Sequence, residues 1–293
     1  MCTTTLSSVF FNETTIEMWG LTKSEHGQYM IIMQYAPKGC ADTRSLAFRD
    51  WQTALQDAYC IADLLSRLHR QELVHKDLHC GNVVFNRSGK ASLVDLGLSQ
   101  LIQETHNEDG IYGRLEYIPP EVIDGHPYTM ESDVYCLGTL IWQLVVGVPP
   151  RGNAAQAVRE RRDRMREEDI PGAPEGFMEI VRLCWNPNPD RRPPAEYVSG
   201  FLLNLFTEQS NRRTLLIWIL YHSFRLRLPR KILPVKPSRD TRDFIASRRA
   251  AHLLETGSAI FGPEASATSA AQRTPAYTSK FYTTQELYRL SLR

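Results

Sequence analysis

The sequence predicts an α+β protein: a short β-rich beginning at residues 1–36, a mainly helical body at 37–206 and a basic extension at 207–293. Three observations carry that expectation. Runs dense in aliphatic, aromatic and β-branched residues fall early, at 16–21 and 29–35, separated by a polar turn at 23–27. Apolar residues at spacings of three and four dominate from Trp51 onward, the signature of amphipathic helices. Between these parts, two short apolar strands each deliver a carboxylate to a polar turn. The first is Asp77, in Leu73-Val74-His75-Lys76-Asp77-Leu78-His79-Cys80-Gly81-Asn82-Val83-Val84-Phe85, and the second is Asp95, in Leu93-Val94-Asp95-Leu96-Gly97.

The elements follow in order. Ala36-Pro37-Lys38-Gly39 ends the second strand. Trp51, Leu55, Ala58, Ala62, Leu65 and His69 form one helical stripe, suited to packing beneath the turn at Asp77. Ser132-Asp133 reads as a helix cap for 134–146, with Gly147 and Pro149-Pro150 as its stop. That helix is apolar nearly all round, which predicts burial at the centre of the domain. Residues 159–169 alternate five Arg with five acids and read as a solvated helical face. Phe177, Ile180, Val181, Cys184 and Trp185 make another stripe, and 197–205 a last helix. Residues 256–279, rich in Ala, Ser, Thr and Pro, read as disordered.

The composition suits a soluble globular protein, with 42% hydrophobic and 23% charged residues in 293. The net charge of +1 conceals a split: residues 1–203 carry 19 Lys and Arg against 27 Asp and Glu, whereas 204–250 carry 11 against 3. The six cysteines are scattered without a Cys-x-x-Cys pair, which favours free thiols in a reducing compartment. The first residues are polar and give no signal peptide, and the longest apolar run, 215–221, falls far short of the ~20 residues of a membrane span. The expected location is intracellular and cytoplasmic, with no transmembrane segment and no nucleic-acid partner. The basic stretch brackets an apolar run at 214–224. Three readings stay open for it: a helix docked on the body, an amphipathic segment on an anionic membrane or partner through 212–231, or a disordered tail.

Two carboxylates flanking an Asn suit a hard cation and a polyphosphate, because magnesium takes oxygen ligands. The two turns resemble the catalytic and magnesium loops of the eukaryotic protein kinases, whose patterns are His-Arg-Asp-Leu-x-x-x-x-Asn and Asp-Phe-Gly. Tyr117-Ile118-Pro119-Pro120-Glu121, Asp133-Val134-Tyr135 with Trp142, and Cys184-Trp185 followed by Asp190-Arg191-Arg192-Pro193 resemble further family signatures. The resemblance covers about residues 16–205 and looks most like the tyrosine-kinase-like branch, in particular the expanded families of filamentous fungi. It implies a protein-kinase-like fold with a complete, mainly helical C-lobe and a truncated β N-lobe.

The resemblance also implies roles. Asp77 would orient or accept the proton of the substrate hydroxyl, and Asn82 and Asp95 would hold Mg2+ on ATP. Met33, Gln34, Ala36 and Val84 would contact the nucleotide. His79 stands where serine/threonine kinases place a phosphate-touching Lys. Lys76 replaces the Arg that reaches toward the activation segment at 99–114, keeping the charge but losing the fork. Leu96 replaces Phe ahead of Gly97. His75 reads as a packed, backbone-bonding histidine, Cys80 as a filler, and Asp133 as part of the central helix. Glu121 and Arg192 would form a buried ion pair. Arg114 departs from the pattern, standing where serine/threonine kinases keep a Thr bonded to the catalytic Asp; the tyrosine-kinase Pro and Trp segment is missing too.

No Gly-x-Gly-x-x-Gly and no Val-Ala-x-Lys precede residue 16, and neither Lys23 nor Lys38 lies in the required strand context. The expected function is ATP-dependent phosphorylation of protein serine or threonine, with weak nucleotide affinity. A non-catalytic scaffold and a fragment of a longer active kinase are the alternatives.

Overall fold

The computed structural model describes residues 14–45, 48, 50–101, 110–149, 167–210, 236–256 and 280–283. Strands β1 (Met18–Lys23) and β2 (Tyr29–Met33) form an antiparallel hairpin in which Lys23 pairs with Tyr29 and Met18 with Met33. Its turn is closed by Ser24 and Gln28, with Gly27 at φ 80°. The first strand starts two residues later than expected, because the Ile16 amide instead donates to the Leu93 carbonyl at 3.3 Å and so ties the hairpin base to the next sheet. Apolar side chains on the hairpin stay open to solvent, Leu21 at 71% and Tyr29 at 74%.

Helix α1 (Ala41–Ser45) and the long α2 (Trp51–His69) come next. Asp50 caps α2, its carboxylate accepting from the Thr53 amide at 2.7 Å. The expected stripe on α2 is buried from Trp51 to Leu65, with His69 half-buried at its end, and α2 packs along α6 (Ala195–Gln209). Trp51 meets Phe48 and Phe177 edge-on, at 5.4 and 5.2 Å between ring centres. Three short antiparallel pairs carry the loops: β3 (Leu73–Val74) with β6 (Gln100–Leu101), β4 (Val83–Phe85) with β5 (Ala91–Leu93), and β7 (Gly110–Gly113) with β8 (Lys280–Thr283).

A single turn of helix, α3 (Pro120–Ile123), precedes the central α4 (Met130–Val146), and α5 (Phe177–Cys184) lies across α4. Every α4 residue from Ser132 to Val146 is buried, as its all-round apolarity requires. Gly138 permits the α4–α5 approach, since a Cβ there would lie 2.6 Å from that of Cys184. Helix α4 begins four residues before the expected start. Thr129 is the N-cap, and Ser132 Oγ accepts from the Thr129 amide at 3.1 Å. Ser132 also reaches Glu121, and Asp133 reaches the turn at Asp77.

Part of the basic extension is docked. Helix α7 (Arg239–Thr256) sends Arg249 across the C-terminus of α4, where it donates to the Val146 carbonyl at 2.8 Å and to the Ser45 carbonyl of α1 at 3.1 Å. A cation is favoured at that end of a helix, and Gly147, at φ 84°, leaves the space for it. Arg248 pairs with Glu167 at 2.9 Å in a buried contact. Glu167 is therefore not part of a solvated face; most of 159–169 lies outside the described residues, as do 212–231 and 257–279. Among the described residues no helix is long and apolar enough to cross a membrane, and the five described cysteines are free.

Candidate active site

The turn between β3 and β4 is built on Asp133. Its wholly buried carboxylate accepts from the backbone amides of His75 (2.7 Å) and Lys76 (3.2 Å), from His69 Nε2 (3.0 Å) and from the Tyr128 hydroxyl (2.9 Å). Burial alone would push this carboxyl up, but the bonds and proximity of His69 and His75 outweigh it and hold it below the usual range. With its amide fixed, Lys76 adopts φ 68°, and its Nζ donates to Gln100 Oε1 at 3.1 Å on β6. A left-handed non-glycine residue costs roughly 1–3 kcal/mol, which the surrounding bonds offset.

Asp77 follows, 5% exposed. Asn82 Nδ2 donates to the Asp77 carbonyl at 2.8 Å and to its Oδ2 at 3.3 Å, so the Asn both closes the turn and braces the carboxylate. That leaves Asn82 Oδ1 as the side chain's remaining acceptor. His79 is buried, and its Nδ1 accepts from the Gly81 amide at 2.9 Å. An accepting Nδ1 puts the neutral ring's proton on Nε2, which lies 3.6 Å from Asp77 Oδ2. The His79 ring is thus held inside the turn, edge-on to Tyr117 at 5.9 Å.

Asp95 stands on the second turn. The Val94 amide donates to the Asn82 carbonyl at 3.0 Å, joining the two turns directly. Asp95 is exposed and adopts φ 58°, and Gly97 leaves room beside its Oδ1. Leu96 closes this turn by accepting from the Ser99 amide at 3.1 Å. No group of three His, Cys, Asp or Glu side chains suited to a metal ion occurs among the described residues. One carboxylate and one amide oxygen nevertheless fit Mg2+, which commonly takes one or two protein oxygens and completes its shell with phosphates and water.

The residues expected to meet a nucleotide fall as follows. Met33 ends β2, and the Gln34 amide donates to the Glu17 carbonyl at 2.8 Å. Ala36 accepts from the Gly39 amide at 3.1 Å, and Val84 lies on β4 opposite Ser92. Lys23 lies over the Tyr29 ring at 4.5 Å, and Lys38 sits beside Gly89. Cys80 is buried, its thiol pushed well above the ordinary value by burial, which suits a filler. Glu121 and Arg192 form a fork-to-fork pair with both contacts at 2.6 Å and side chains 9% and 0% exposed.

Two features were not foreseen. Tyr112 on β7 is near both carboxylates: its phenol is pushed up by desolvation first and then by the charges of Asp77 and Asp95. Arg114, flagged by its departure from the kinase pattern, donates from Nη1 to Asp42 Oδ2 at 3.1 Å on α1. Asp42 and Gln143 carried no local sequence signal.

A family model for protein tyrosine and serine/threonine kinases matches residues 3–202. This chain belongs to the protein kinase family. It is also similar to a "probable serine/threonine-protein kinase" of Dictyostelium discoideum, 30% identical over 178 residues. That match covers 55% of this chain and 14% of the other, so the chain spans a small part of that relative's length.

Burial gives this kinase domain a pH expectation. His75 is fully enclosed, and desolvation holds its imidazole below the ordinary 6.5 despite Asp133, Asp77 and Asp95 nearby, with His79 adding to the lowering. An unfolded chain therefore takes up a proton near that value that the fold refuses, and stability falls as pH drops below it. Asp133 adds a second acid-side loss, from the ordinary carboxylate value of 3.8 downward through its lowered folded value. Asp57, pushed up to about 6 by burial against the pull of Arg44, works in the opposite sense between 3.8 and 6. Comparing urea midpoints of wild type and His75→Phe cancels the carboxylates. Lowering the pH from 7.5 to 5.5 should shift the midpoint more in the wild type than in the variant. Equal shifts would show that His75 titrates normally.

Proposed function

We propose that this chain transfers the γ-phosphate of ATP to serine or threonine hydroxyls of a protein substrate. The observation that supports it best is the joined pair of turns: Asp77 braced by the Asn82 amide, and Asp95 left exposed beside them. Asp77 is the group to orient an acceptor hydroxyl and take its proton, the ordinary role of a carboxylate held at such a site. Asn82 Oδ1 and Asp95 would hold Mg2+. When bound, the ion neutralises charge on the phosphate oxygens. Met33, Gln34, Ala36 and Val84 would contact the nucleotide. Residues 1–36, 37–206 and 207–293 correspond on this reading to a small lobe, a helical lobe and an extension. The absence of the tyrosine-kinase Pro and Trp segment around Arg114, together with the similarity to a probable serine/threonine-protein kinase of Dictyostelium discoideum, favours serine and threonine. The pattern His-x-Asp-Leu-His-x-Gly-Asn favours the tyrosine-kinase-like branch and its fungal families.

A second reading, a non-catalytic signalling scaffold, is favoured by the positions of Lys23 and Lys38, over Tyr29 and beside Gly89. Thermal denaturation with Mg2+-ATP separates the two. The catalytic reading expects stabilisation that needs Mg2+ and disappears in Asp95→Ala, with ~2.7 kcal/mol reached at 100 times the dissociation constant. Phosphoserine or phosphothreonine should then appear in a protein acceptor by mass spectrometry. Magnesium-independent binding, or none, would favour the scaffold.

A further inference from the structure

We propose that Arg114 is a positioning residue that sets the catalytic turn from beneath, through a polar chain running from the residue after β7 by way of α1 and α4 to the Cys80 amide. The chain is explicit in the geometry. Arg114 Nη1 donates to Asp42 Oδ2 (3.1 Å), and Gln143 Nε2 donates to Asp42 Oδ1 (2.9 Å). The Tyr117 hydroxyl donates to Gln143 Oε1 (2.5 Å) and accepts from the Cys80 amide (3.3 Å). The chain is also tied locally, because the Arg114 carbonyl accepts from the Tyr117 and Ile118 amides at 2.8 and 3.2 Å.

The guanidinium also touches the turn directly. A Cβ at Gly81 would overlap Arg114 Nη2, so the missing side chain at Gly81 is the space that Arg114 fills. Gly81 lies between Cys80, whose amide ends the chain, and Asn82, which braces Asp77. The preceding residue, Gly113, lies against Asp77 itself, a Cβ there being 3.5 Å from Oδ1. Arg114 therefore links the floor of the turn to the strand beside the carboxylate without contacting the reacting groups.

Its burial argues against an incidental ion pair. Arg114 is 8% exposed, and its Nε is enclosed with no hydrogen-bond partner among the described residues. A buried donor without a partner keeps its full desolvation penalty. Burial opposes the charge, but Asp42, 30% exposed at the side chain, outweighs it and holds the guanidinium above its ordinary value. Holding the Cys80–Gly81 segment at a fixed height is what the arrangement accomplishes.

This inference rests on the proposed phosphoryl transfer only for its kinetic arm. The test uses the full chain carrying Arg114→Met, Asp42→Asn, both together, or Arg114→Lys. Hydrogen exchange followed by mass spectrometry reports the 76–85 segment, and steady-state kinetics with Mg2+-ATP and a serine-containing acceptor peptide reports turnover. Arg114→Met should speed exchange at Cys80 and Gly81 at least tenfold while exchange in α2 and α4 stays unchanged. It should lower kcat about tenfold or more and leave the KM for ATP alone. Asp42→Asn should do the same, the double variant should be no worse than either single, and Arg114→Lys should recover part of both losses. Unchanged exchange in folded Arg114→Met, additive single effects, or a general loss of folding in all four variants would overturn it. If the wild type shows no turnover, the catalytic reading fails by itself, while the exchange arm still decides the role of Arg114.

Discussion

Replacing Arg192 by alanine should cost ~3–5 kcal/mol of stability, because it strands a buried carboxylate. Arg192 makes four hydrogen bonds: Nη1 and Nη2 to the two oxygens of Glu121, Nη1 to the Glu131 carbonyl and Nε to the Asn186 carbonyl. Its guanidinium also lies over the Tyr135 ring at 4.9 Å. Truncation leaves Glu121 with the Ser132 hydroxyl, and takes a donor from the Glu131 and Asn186 carbonyls. The largest part of the effect is therefore the unpaired charge, not the lost attraction. For a domain of this size the melting temperature should fall on the order of 10 °C. Arg192→Lys should lie between, since it keeps the charge and loses the fork. A double variant, Glu121→Leu with Arg192→Met, should be less destabilised than Arg192→Ala. An unchanged melting temperature in Arg192→Ala would contradict the burial of the pair.

Helix α4 could be read from the sequence because burial on all sides leaves an apolar run that no partner has to explain. Its start was misplaced, because Ser132 sits at the third helical position and bonds back to the Thr129 cap, while Asp133 serves a distant turn. Asp133 bonds backbone some 58 residues away in sequence, and a local pattern holds no trace of such a contact. The hairpin was legible through its β-rich runs and the glycine turn. Its exact ends depended on the Ile16–Leu93 bond to another sheet. Helix α7 was legible only as charge, since its docking depends on Arg248 and Arg249 finding Glu167 and two helix-end carbonyls. The pairing of β7 with Lys280–Thr283 left no local mark at all.

The site divides in the same way. Asp77, Asn82 and Asp95 were visible because strand-delivered polar turns are compact in sequence, and Glu121 and Arg192 because each sits in a recognisable motif. Arg114 was visible only as a misfit. Its partner lies 72 residues away on a five-residue helix, beyond any periodicity or spacing argument. Tyr112 gave no signal because proximity to the two carboxylates is purely a matter of tertiary placement.

Asp77→Asn should remove nearly all turnover and leave the fold and nucleotide binding in place. The substitution keeps the volume of a side chain that is 5% exposed and packed in a tight turn. Asn82 Nδ2 can still donate to the Asp77 carbonyl, its shorter bond at 2.8 Å, so the turn keeps its closure. What disappears is a group able to accept a proton, and positioned acid–base groups contribute roughly 10²–10⁴ in rate. The oxygens assigned to Mg2+ belong to Asn82 and Asp95, so the KM for ATP and the Mg2+-ATP stabilisation should not move. Asp95→Asn should show the opposite pattern, weakening metal-dependent binding together with turnover. Phosphate transfer to an acceptor peptide under saturating Mg2+-ATP measures the first effect, and thermal denaturation with and without the nucleotide measures the second. Wild-type kcat in Asp77→Asn would remove Asp77 from the reaction. A joint loss of nucleotide binding and turnover would move its role to the phosphate side of the site.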